Sequence, residues 1–274
     1  MAAKNTGIYY MKSVCVLGLG WLGKQIVNNL IEEDHMVYGV NRSVKTDLQI
    51  KQWSYDIDFL NIETLNELKE FKFDFLIVTI PPSSSESYPS RLIEFTNGIC
   101  NQNLKIIYTS STSMYGSEAR DINEDSLVKP ITTNAIKINR FEQYLMDRFS
   151  SKHVILRLAG LVGVDRHPIK FLSGRSDVRQ PKAPVNLIHA EEIVAFTSKI
   201  LGNWNTGVFN LCNPDHPTKQ FYYKSIANQL DISIPKFDLN DDRLGKKINS
   251  NRMKELNFEF KYKNLEDFPL PNLV

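Results

Sequence analysis

Apolar residues in the first half of the chain form short continuous runs, and amphipathic segments separate these runs. Each run has the length of a β-strand and is too short to cross a membrane. In the segments between them, apolar residues recur at helical spacing, as Leu22, Ile26, Val27 and Leu30 do. The pattern therefore predicts strands that alternate with helices.

The periodicity predicts seven strands and six helices. The strands are expected at residues 14–17, 36–40, 50–55, 73–80, 105–108, 154–158 and 208–211. The helices are expected at residues 21–33, 62–71, 88–101, 133–148, 190–201 and 218–230. The run at 73–80 is almost entirely apolar, as in a strand buried on both faces of a parallel sheet.

This alternation predicts an α/β fold, a doubly wound parallel Rossmann sheet that binds its ligand at the carboxyl ends of the strands. Residues 12–160 are expected to form the Rossmann domain. Residues 161–274, where the alternation loosens, are expected to form a smaller substrate-side lobe interleaved with it. Residues 1–11 are expected to be a leader or an added extension.

Composition and charge exclude several classes of protein. The net charge is +2, and the 33 Lys and Arg residues are spread along the 274 residues of the chain, so the sequence does not indicate a nucleic-acid-binding surface. Three widely spaced cysteines, Cys15, Cys100 and Cys212, predict buried thiols in a reducing compartment, so a cytoplasmic location is expected. The sequence contains no metal-ligand spacing and no membrane span, and a small-molecule ligand is expected instead.

A glycine-rich loop joins the first predicted strand to the first predicted helix. In Gly18-x-Gly20-x-x-Gly23, the glycines permit a tight turn, close approach of a pyrophosphate and close helix packing. Trp21 and Leu22 begin the helix, whose N-terminus offers amides and a positive dipole. This context predicts a dinucleotide site. The alternative is a tight turn in a Rossmann-like fold that has lost its ligand.

The residues after the second strand favour NADP over NAD. An NAD site usually places a carboxylate there, whereas this chain has Asn41, Arg42 and Ser43. Arg42 can bind a 2′-phosphate through charge-assisted hydrogen bonds, and Ser43 can add a neutral one; otherwise Arg42 is a solvated surface residue. Asp56, after the third strand, is either an acceptor for the adenine amino group or an exposed loop residue.

Several motifs together resemble the extended short-chain dehydrogenase/reductases, the epimerase and dehydratase group. They are the glycine loop, Thr79-Ile80-Pro81-Pro82, the sequence YTSSTSMYG at 108–116, RLAGLVG at 157–163, NLIH at 186–189 and FNL at 209–211. The resemblance covers most of residues 12–230. It implies a nicotinamide cofactor, contacted also by Thr79, Ile80 and Pro81, and hydride transfer on a sugar-like substrate.

That family uses a Ser or Thr, a Tyr and a Lys together in catalysis. By resemblance, Ser111 polarises the substrate oxygen and Lys137 holds the nicotinamide ribose. The family's Tyr-x-x-x-Lys aligns with residues 133–137, so Thr133 stands where the tyrosine is expected. An aliphatic hydroxyl is far less acidic than a phenol and cannot replace it chemically. The general base is therefore unidentified, as in atypical members of the superfamily.

Three further residues are candidates for substrate contact. Tyr115 is a spare phenol, although relatives carry a tyrosine there whose role is mainly in packing or on the substrate side. Arg166 and His167 form a pair that either binds a phosphate or carboxylate or belongs to a solvated loop. The pair Lys246-Lys247 is interpreted as solvated surface.

The sequence thus predicts an NADP-dependent oxidoreductase or epimerase-like enzyme with an atypical active site. It acts on a sugar-like or small polar carbonyl or hydroxyl substrate. The alternative is a non-catalytic NADP-binding sensor or scaffold protein. The resemblance also implies a homodimer formed through the helices at 88–101 and 133–148.

Overall fold

The computed structural model describes residues 11–272. Residues 1–10 of the predicted leader lie outside the described residues, and only Met11 lies within them. The structure is a mixed α/β fold with a seven-stranded parallel central sheet flanked by helices, which confirms the predicted Rossmann class.

Every predicted strand forms within the central sheet. Its strands run in the order β10-β7-β5-β4-β1-β2-β3. Their bounds are β1 Ser13–Leu17, β2 Met36–Asn41, β3 Lys51–Ser54, β4 Phe75–Val78, β5 Lys105–Ser111, β7 His153–Leu158 and β10 Gly207–Leu211. All four residues of β4 are buried, because neighbouring strands flank it and helices cover both faces of such a sheet.

The six predicted helices also form, with ends that differ by at most two residues from the predicted ones. Their bounds are α1 Trp21–Glu32, α2 Ile62–Glu70, α3 Tyr88–Ile99, α4 Thr133–Arg148, α6 Ala190–Gly202 and α7 Lys219–Gln229. Side chains define two of the starts: Asn61 caps α2, and Thr218 caps α7 by accepting a hydrogen bond from the amide of Phe221.

The chain divides into two compact units. The first comprises Met1–Tyr108, Tyr144–His153 and Thr197–Thr206; the second comprises Thr109–Gln143, Val154–Phe196 and Gly207–Val274. The first carries β1 to β4 with α1, α2 and α3. Neither unit has a limit at residue 160, so the predicted lobe boundary there stays a prediction.

The second unit contains short elements that the sequence pattern did not predict. They are the strand pairs β6 (Asp121–Ile122) with β11 (Lys247–Ile248) and β8 (Gly160–Val162) with β9 (Leu187–His189), and the helices α5 (Ile169–Leu172) and α8 (Asn251–Glu255). Elements of two to five residues are too short to show a periodicity. A separate core in this unit packs α7 against Val162, Leu187 and Leu265.

The burial of the cysteines can be compared with the prediction that all three are buried thiols. Cys15 and Cys212 are buried, and burial raises the pKa of both thiols; Cys100 is partly exposed, so the prediction that it is buried is wrong. None of the helices between residues 11 and 272 is long and apolar enough to cross a membrane.

Candidate functional site

The glycine loop is locked between the ends of β1, β2 and β4. Gly18 has a φ of 103°, and its amide donates to the carbonyl of Val40 at 2.8 Å. The hydroxyl of Thr79 donates to the carbonyl of Gly18. A Cβ on Gly23 would lie 2.0 Å from that same carbonyl oxygen. Gly18 and Gly23 are therefore required by the packing of the loop itself.

Gly20 differs from the other two glycines of the motif, Gly18 and Gly23. A Cβ built on it meets nothing within 4 Å, and its φ of −80° suits any residue. Packing of the protein thus gives no reason for a glycine there. Gly20 is also the N-cap of α1, where no side chain caps the helix and no acidic residue lies in the first turn. The loop therefore leaves a helix N-terminus open to an anion, with room for close approach.

A pocket of about 470 Å³ opens over this loop within the first unit. Nine of the predicted cofactor residues line it: Gly18, Gly20, Asn41, Arg42, Ser43, Asp56, Thr79, Ile80 and Pro81. Six further lining residues were not predicted: Leu19, Lys45, Tyr55, Ile57, Ser83 and Ser84. The carboxyl ends of β1, β2, β3 and β4 supply this lining, as expected for a doubly wound sheet.

Four predicted cofactor residues do not line this pocket: Trp21, Leu22, Gly23 and Lys137, of which Lys137 belongs to the second unit. Trp21 and Leu22 form the first turn of α1, and the side chain of Leu22 is buried. Gly23 packs beneath the loop against Gly18. The backbone amides of Trp21, Leu22 and Gly23 lie at the start of α1 and can face a pyrophosphate, whereas the side chain of Leu22 serves packing.

The segment after β2 carries the groups that would distinguish NADP from NAD. Asn41 has a scaffolding role, since its Oδ1 accepts from the amide of Leu19 at 3.1 Å and its Nδ2 donates to the carbonyl of Ser43 at 2.9 Å. The side chains of Arg42 and Ser43 are exposed, and Lys45 adds a second cation to the pocket. No carboxylate stands where an NAD site places one.

Asp56 is half-buried and also lines the pocket. Its Oδ1 accepts from the amide of Asp58 at 3.1 Å and so closes the turn after β3. An ionised carboxylate has further acceptor capacity. Asp56 therefore remains a candidate for the adenine amino group.

The three predicted catalytic residues all lie in the second unit. Ser111 ends β5, is half-buried, and accepts a hydrogen bond from the amide of Ser113 at 3.1 Å. Thr133 is the exposed first residue of α4, and Lys137 is half-buried one turn later. Their spacing of four places both side chains on one helix face.

Tyr115 is not available to a substrate. It is fully buried, donates to Oδ1 of Asn210 at 2.7 Å and accepts from Nη1 of Arg157 at 2.9 Å. Burial raises the pKa of its phenol, and Arg157 only partly offsets this rise. The suggestion that Tyr115 contacts substrate or replaces the missing tyrosine is therefore wrong, because the hydroxyl is enclosed and both of its hydrogen-bonding roles are used.

Tyr115 belongs to a buried network that links β5, α4, β7 and β10. Arg157 donates to both carboxylate oxygens of Glu142, at 2.6 and 3.2 Å, and Ser110 donates to Glu142 as well. Burial alone would lower the pKa of Arg157, but the hydrogen bond and charge of Glu142 outweigh it and raise that pKa. The network fixes the strand end beside Ser111 and the helix that carries Lys137.

His167 and Arg166 do not act as a pair. His167 is 5% exposed; its Nε2 lies 2.9 Å from the hydroxyl of Tyr222, and its Nδ1 accepts from the amide of Ile169. Burial lowers its pKa to about 4, so the ring is neutral at pH 7. Anion binding by His167 is therefore contradicted. Arg166 is exposed and remains a candidate on its own.

Comparison with known proteins assigns this chain to a family. The model of the NAD dependent epimerase/dehydratase family matches residues 14–176, more than half of the chain. The protein YeeZ of Escherichia coli K12 is 30% identical over an alignment of 269 residues, and the alignment covers 92% of this chain and 97% of that protein.

Solved structures share the fold. The UDP-N-acetylglucosamine 4-epimerase of Bacillus cereus has a TM-score of 0.74 at 18% identity, over 92% of this chain and 95% of that one. WbmH of Bordetella bronchiseptica, in complex with NAD⁺, also has a TM-score of 0.74, at 16% identity, over 93% and 95% of the two chains. The chain belongs to the NAD dependent epimerase/dehydratase family.

Proposed function

We propose that this protein is an NADP-preferring oxidoreductase or epimerase-like enzyme that acts on a small, sugar-like carbonyl or hydroxyl substrate. The observation that carries the proposal is Gly20. It lines the pocket at an uncapped helix N-terminus, and a side chain there would fill only the space that a pyrophosphate needs. Sugar-like chemistry agrees with the structural similarity to the UDP-N-acetylglucosamine 4-epimerase of Bacillus cereus.

The preference for NADP follows from charge at the adenosine end of the pocket. Arg42 and Ser43 would bind the 2′-phosphate, and Lys45 would add a second positive charge. A 2′-phosphate carries a double negative charge that NAD lacks, so these cations favour NADP selectively. Asp56 lines the same pocket and would accept from the adenine amino group.

Replacement of Arg42 tests this preference. A hydrogen bond to a charged group contributes about 1.5–3 kcal/mol, so Arg42→Ala should weaken NADPH binding roughly 10- to 150-fold. NADH affinity should not change. Arg148→Ala, an exposed arginine at the end of α4, is the matched control and should leave both affinities intact. Equal losses for NADPH and NADH would contradict selective recognition of the 2′-phosphate.

The bound nicotinamide would supply the hydride chemistry of the reaction. Ser111 would donate a hydrogen bond to the reacting oxygen, and Lys137 would bind the nicotinamide ribose. Thr133 occupies the position of the family's acid/base tyrosine but has no acidic proton near neutral pH. The retained serine and lysine favour an enzyme, because a protein that only binds nucleotide has less need of either.

Restoring the tyrosine tests whether the rest of the site is competent. Wild type and Thr133→Tyr are assayed for NADPH oxidation with a broad panel of carbonyl compounds. Gln143→Tyr is the control, because Gln143 is an exposed residue of α4 that lies six positions after Lys137 and is not one of its i±3 or i±4 neighbours. A higher rate in Thr133→Tyr alone would support the enzyme.

The second candidate is a non-catalytic NADP-binding sensor, and Thr133 is the observation that favours it. If wild type and Thr133→Tyr both show only the background rate while NADPH binding is intact, the oxidoreductase is refuted. The non-catalytic NADP-binding sensor is then the function that the results favour.

A further inference from the structure

The second unit contains a cavity of about 320 Å³ that the predicted site does not include. It begins at Gly116 and Ser117, directly after the turn Thr112–Tyr115 that follows Ser111. Its other walls include Gln180, Asn186, Lys219, Tyr223 and Lys246. The walls carry two lysines and no carboxylate, so the cavity is positively charged.

Lys246 is the most strongly constrained of these residues. Its Nζ donates to the carbonyls of Thr112 at 2.6 Å and Gly116 at 2.7 Å. An ammonium has three protons, so these two contacts leave one proton unused. In the part of the chain that the structure describes, no carboxylate forms an ion pair with Lys246. Burial, with a smaller contribution from Arg120, lowers its pKa to about 8, yet the charged form still dominates at pH 7. Its interpretation as solvated surface is therefore wrong.

Lys219 brings a second ammonium to the same cavity. It begins α7 and is half-buried, and its Nζ donates to the carbonyl of Arg179 at 3.3 Å. Burial lowers its pKa, although the charge of Asp241 opposes this. Asp241 is itself bound by Arg243 at 2.6 Å and by the amide of Gln180. Asp241 therefore has Arg243 as its ion-pair partner and only partly offsets the charge of Lys219.

Neutral groups complete the cavity in a way that suits a small polar ligand. Asn186 donates to the backbone carbonyl of Lys246 at 2.8 Å and accepts from the amide of Ile248, so it holds the lysine segment in place. Ser117 and Gln180 offer polar side chains for hydroxyl groups, and Tyr223 gives an apolar wall. The volume lies at the lower end of the roughly 300–1,000 Å³ range of small-molecule sites.

We propose that this cavity binds the substrate of the reaction through an anionic group, a carboxylate or a phosphate, held by Lys246 and Lys219. Partly buried ammonium groups without carboxylate partners are stabilised by a bound anion. The substrate is thus a hydroxylated small anion of sugar-acid or sugar-phosphate size. The inference rests on the proposed function for the reaction, but the anion site itself does not depend on it.

Calorimetric titration of the full chain with gluconate, glucose 6-phosphate and glucose tests the site. The three probes share a carbon skeleton and differ in charge, and the first two distinguish a carboxylate from a phosphate. At least one anion should bind, and glucose should bind much more weakly. Equal binding of glucose and the anions, or no binding of either anion at millimolar concentration, overturns the proposal.

Variants assign the binding to this cavity. Lys246→Met should weaken anion binding roughly 10- to 150-fold, the equivalent of one charged hydrogen bond. Lys219→Met should weaken it as well, and it remains informative if loss of the two carbonyl contacts unfolds Lys246→Met. Lys182→Met is the control, since Lys182 is exposed and pairs with Asp242 outside the lining. Unchanged affinity in folded Lys246→Met and Lys219→Met overturns the proposal.

NADPH titration of the same proteins separates this inference from the proposed function. Intact NADPH binding without anion binding refutes the anion site alone. Anion binding that depends on Lys246, without binding of any dinucleotide, refutes the proposed function and leaves the anion site standing.

Discussion

Single methyl groups added at Gly20 and Gly23 should separate cofactor binding from folding. Gly23→Ala would place its Cβ 2.0 Å from the carbonyl oxygen of Gly18 and 2.9 Å from the hydroxyl oxygen of Thr79. Gly20→Ala would meet no protein atom within 4 Å. Both residues lie in one loop, so the two variants form a matched pair.

The magnitudes follow from these contacts. Overpacking costs about 1–3 kcal/mol, and more when backbone must move, whereas alanine in a helix recovers only about 1 kcal/mol. Gly23→Ala should therefore lose about 2 kcal/mol or more, a fall of about 4–8 °C in Tm. For Gly20→Ala, a slightly poorer N-cap and a less flexible unfolded chain nearly cancel, so stability should change by about 0.5 kcal/mol or less.

Nucleotide binding should follow the opposite order. The methyl of Gly20→Ala occupies the space that a pyrophosphate needs, and loss of one charge-assisted hydrogen bond weakens NADPH binding roughly 10- to 150-fold. Thermal unfolding and calorimetry on both variants measure the two effects. Full NADPH affinity in Gly20→Ala, or a Gly23→Ala variant as stable as wild type, would refute the reasoning.

Three further predictions concern the second unit. Because burial lowers the folded pKa of His167 to about 4 from 6.5, its neutral form contributes stability above pH 6.5 that is lost as the pH falls toward 4. Urea unfolding should therefore show the advantage of wild type over His167→Gln shrinking by about 3 kcal/mol across that window; a constant difference would contradict a neutral ring. Glu142→Gln, which leaves Arg157 buried without its counter-ion, should lower the free energy of unfolding by about 3–5 kcal/mol. A loss below about 1 kcal/mol would show that the pair is not desolvated. Tyr115→Phe should cost about 1–3 kcal/mol but leave NADPH and anion binding unchanged, whereas a binding defect in the folded variant would place Tyr115 in the site.

The sequence predicted the frame of the fold because strong local signals specify it. Continuous apolar runs such as β4 and amphipathic segments such as α1 were recognised within two residues of their ends. The pairs β6–β11 and β8–β9 were missed, because strands of two or three residues carry no periodicity and depend on contacts distant in sequence.

The sequence also predicted some residues of the candidate site correctly and misjudged others. Residues next to strand ends, from Gly18 to Pro81, were found because a parallel sheet gathers its carboxyl ends at one edge. For the other candidate residues, the outcome depended on how deeply the side chain is buried. Tyr115 and His167 have suitable chemistry but are enclosed, while Lys246 looked like a solvated lysine and lines a cavity. No local sequence pattern distinguishes these environments.

The central claim is that the pocket over the glycine loop binds a nicotinamide dinucleotide and prefers NADP. Calorimetric titration of the nucleotide-free wild type with NADPH and NADH in parallel tests it most directly. We expect both to bind, with NADPH roughly tenfold tighter or more, which corresponds to about 1.4 kcal/mol from Arg42 and Ser43. Tighter binding of NADH would contradict the NADP preference, and no binding of either nucleotide would contradict the function as a whole.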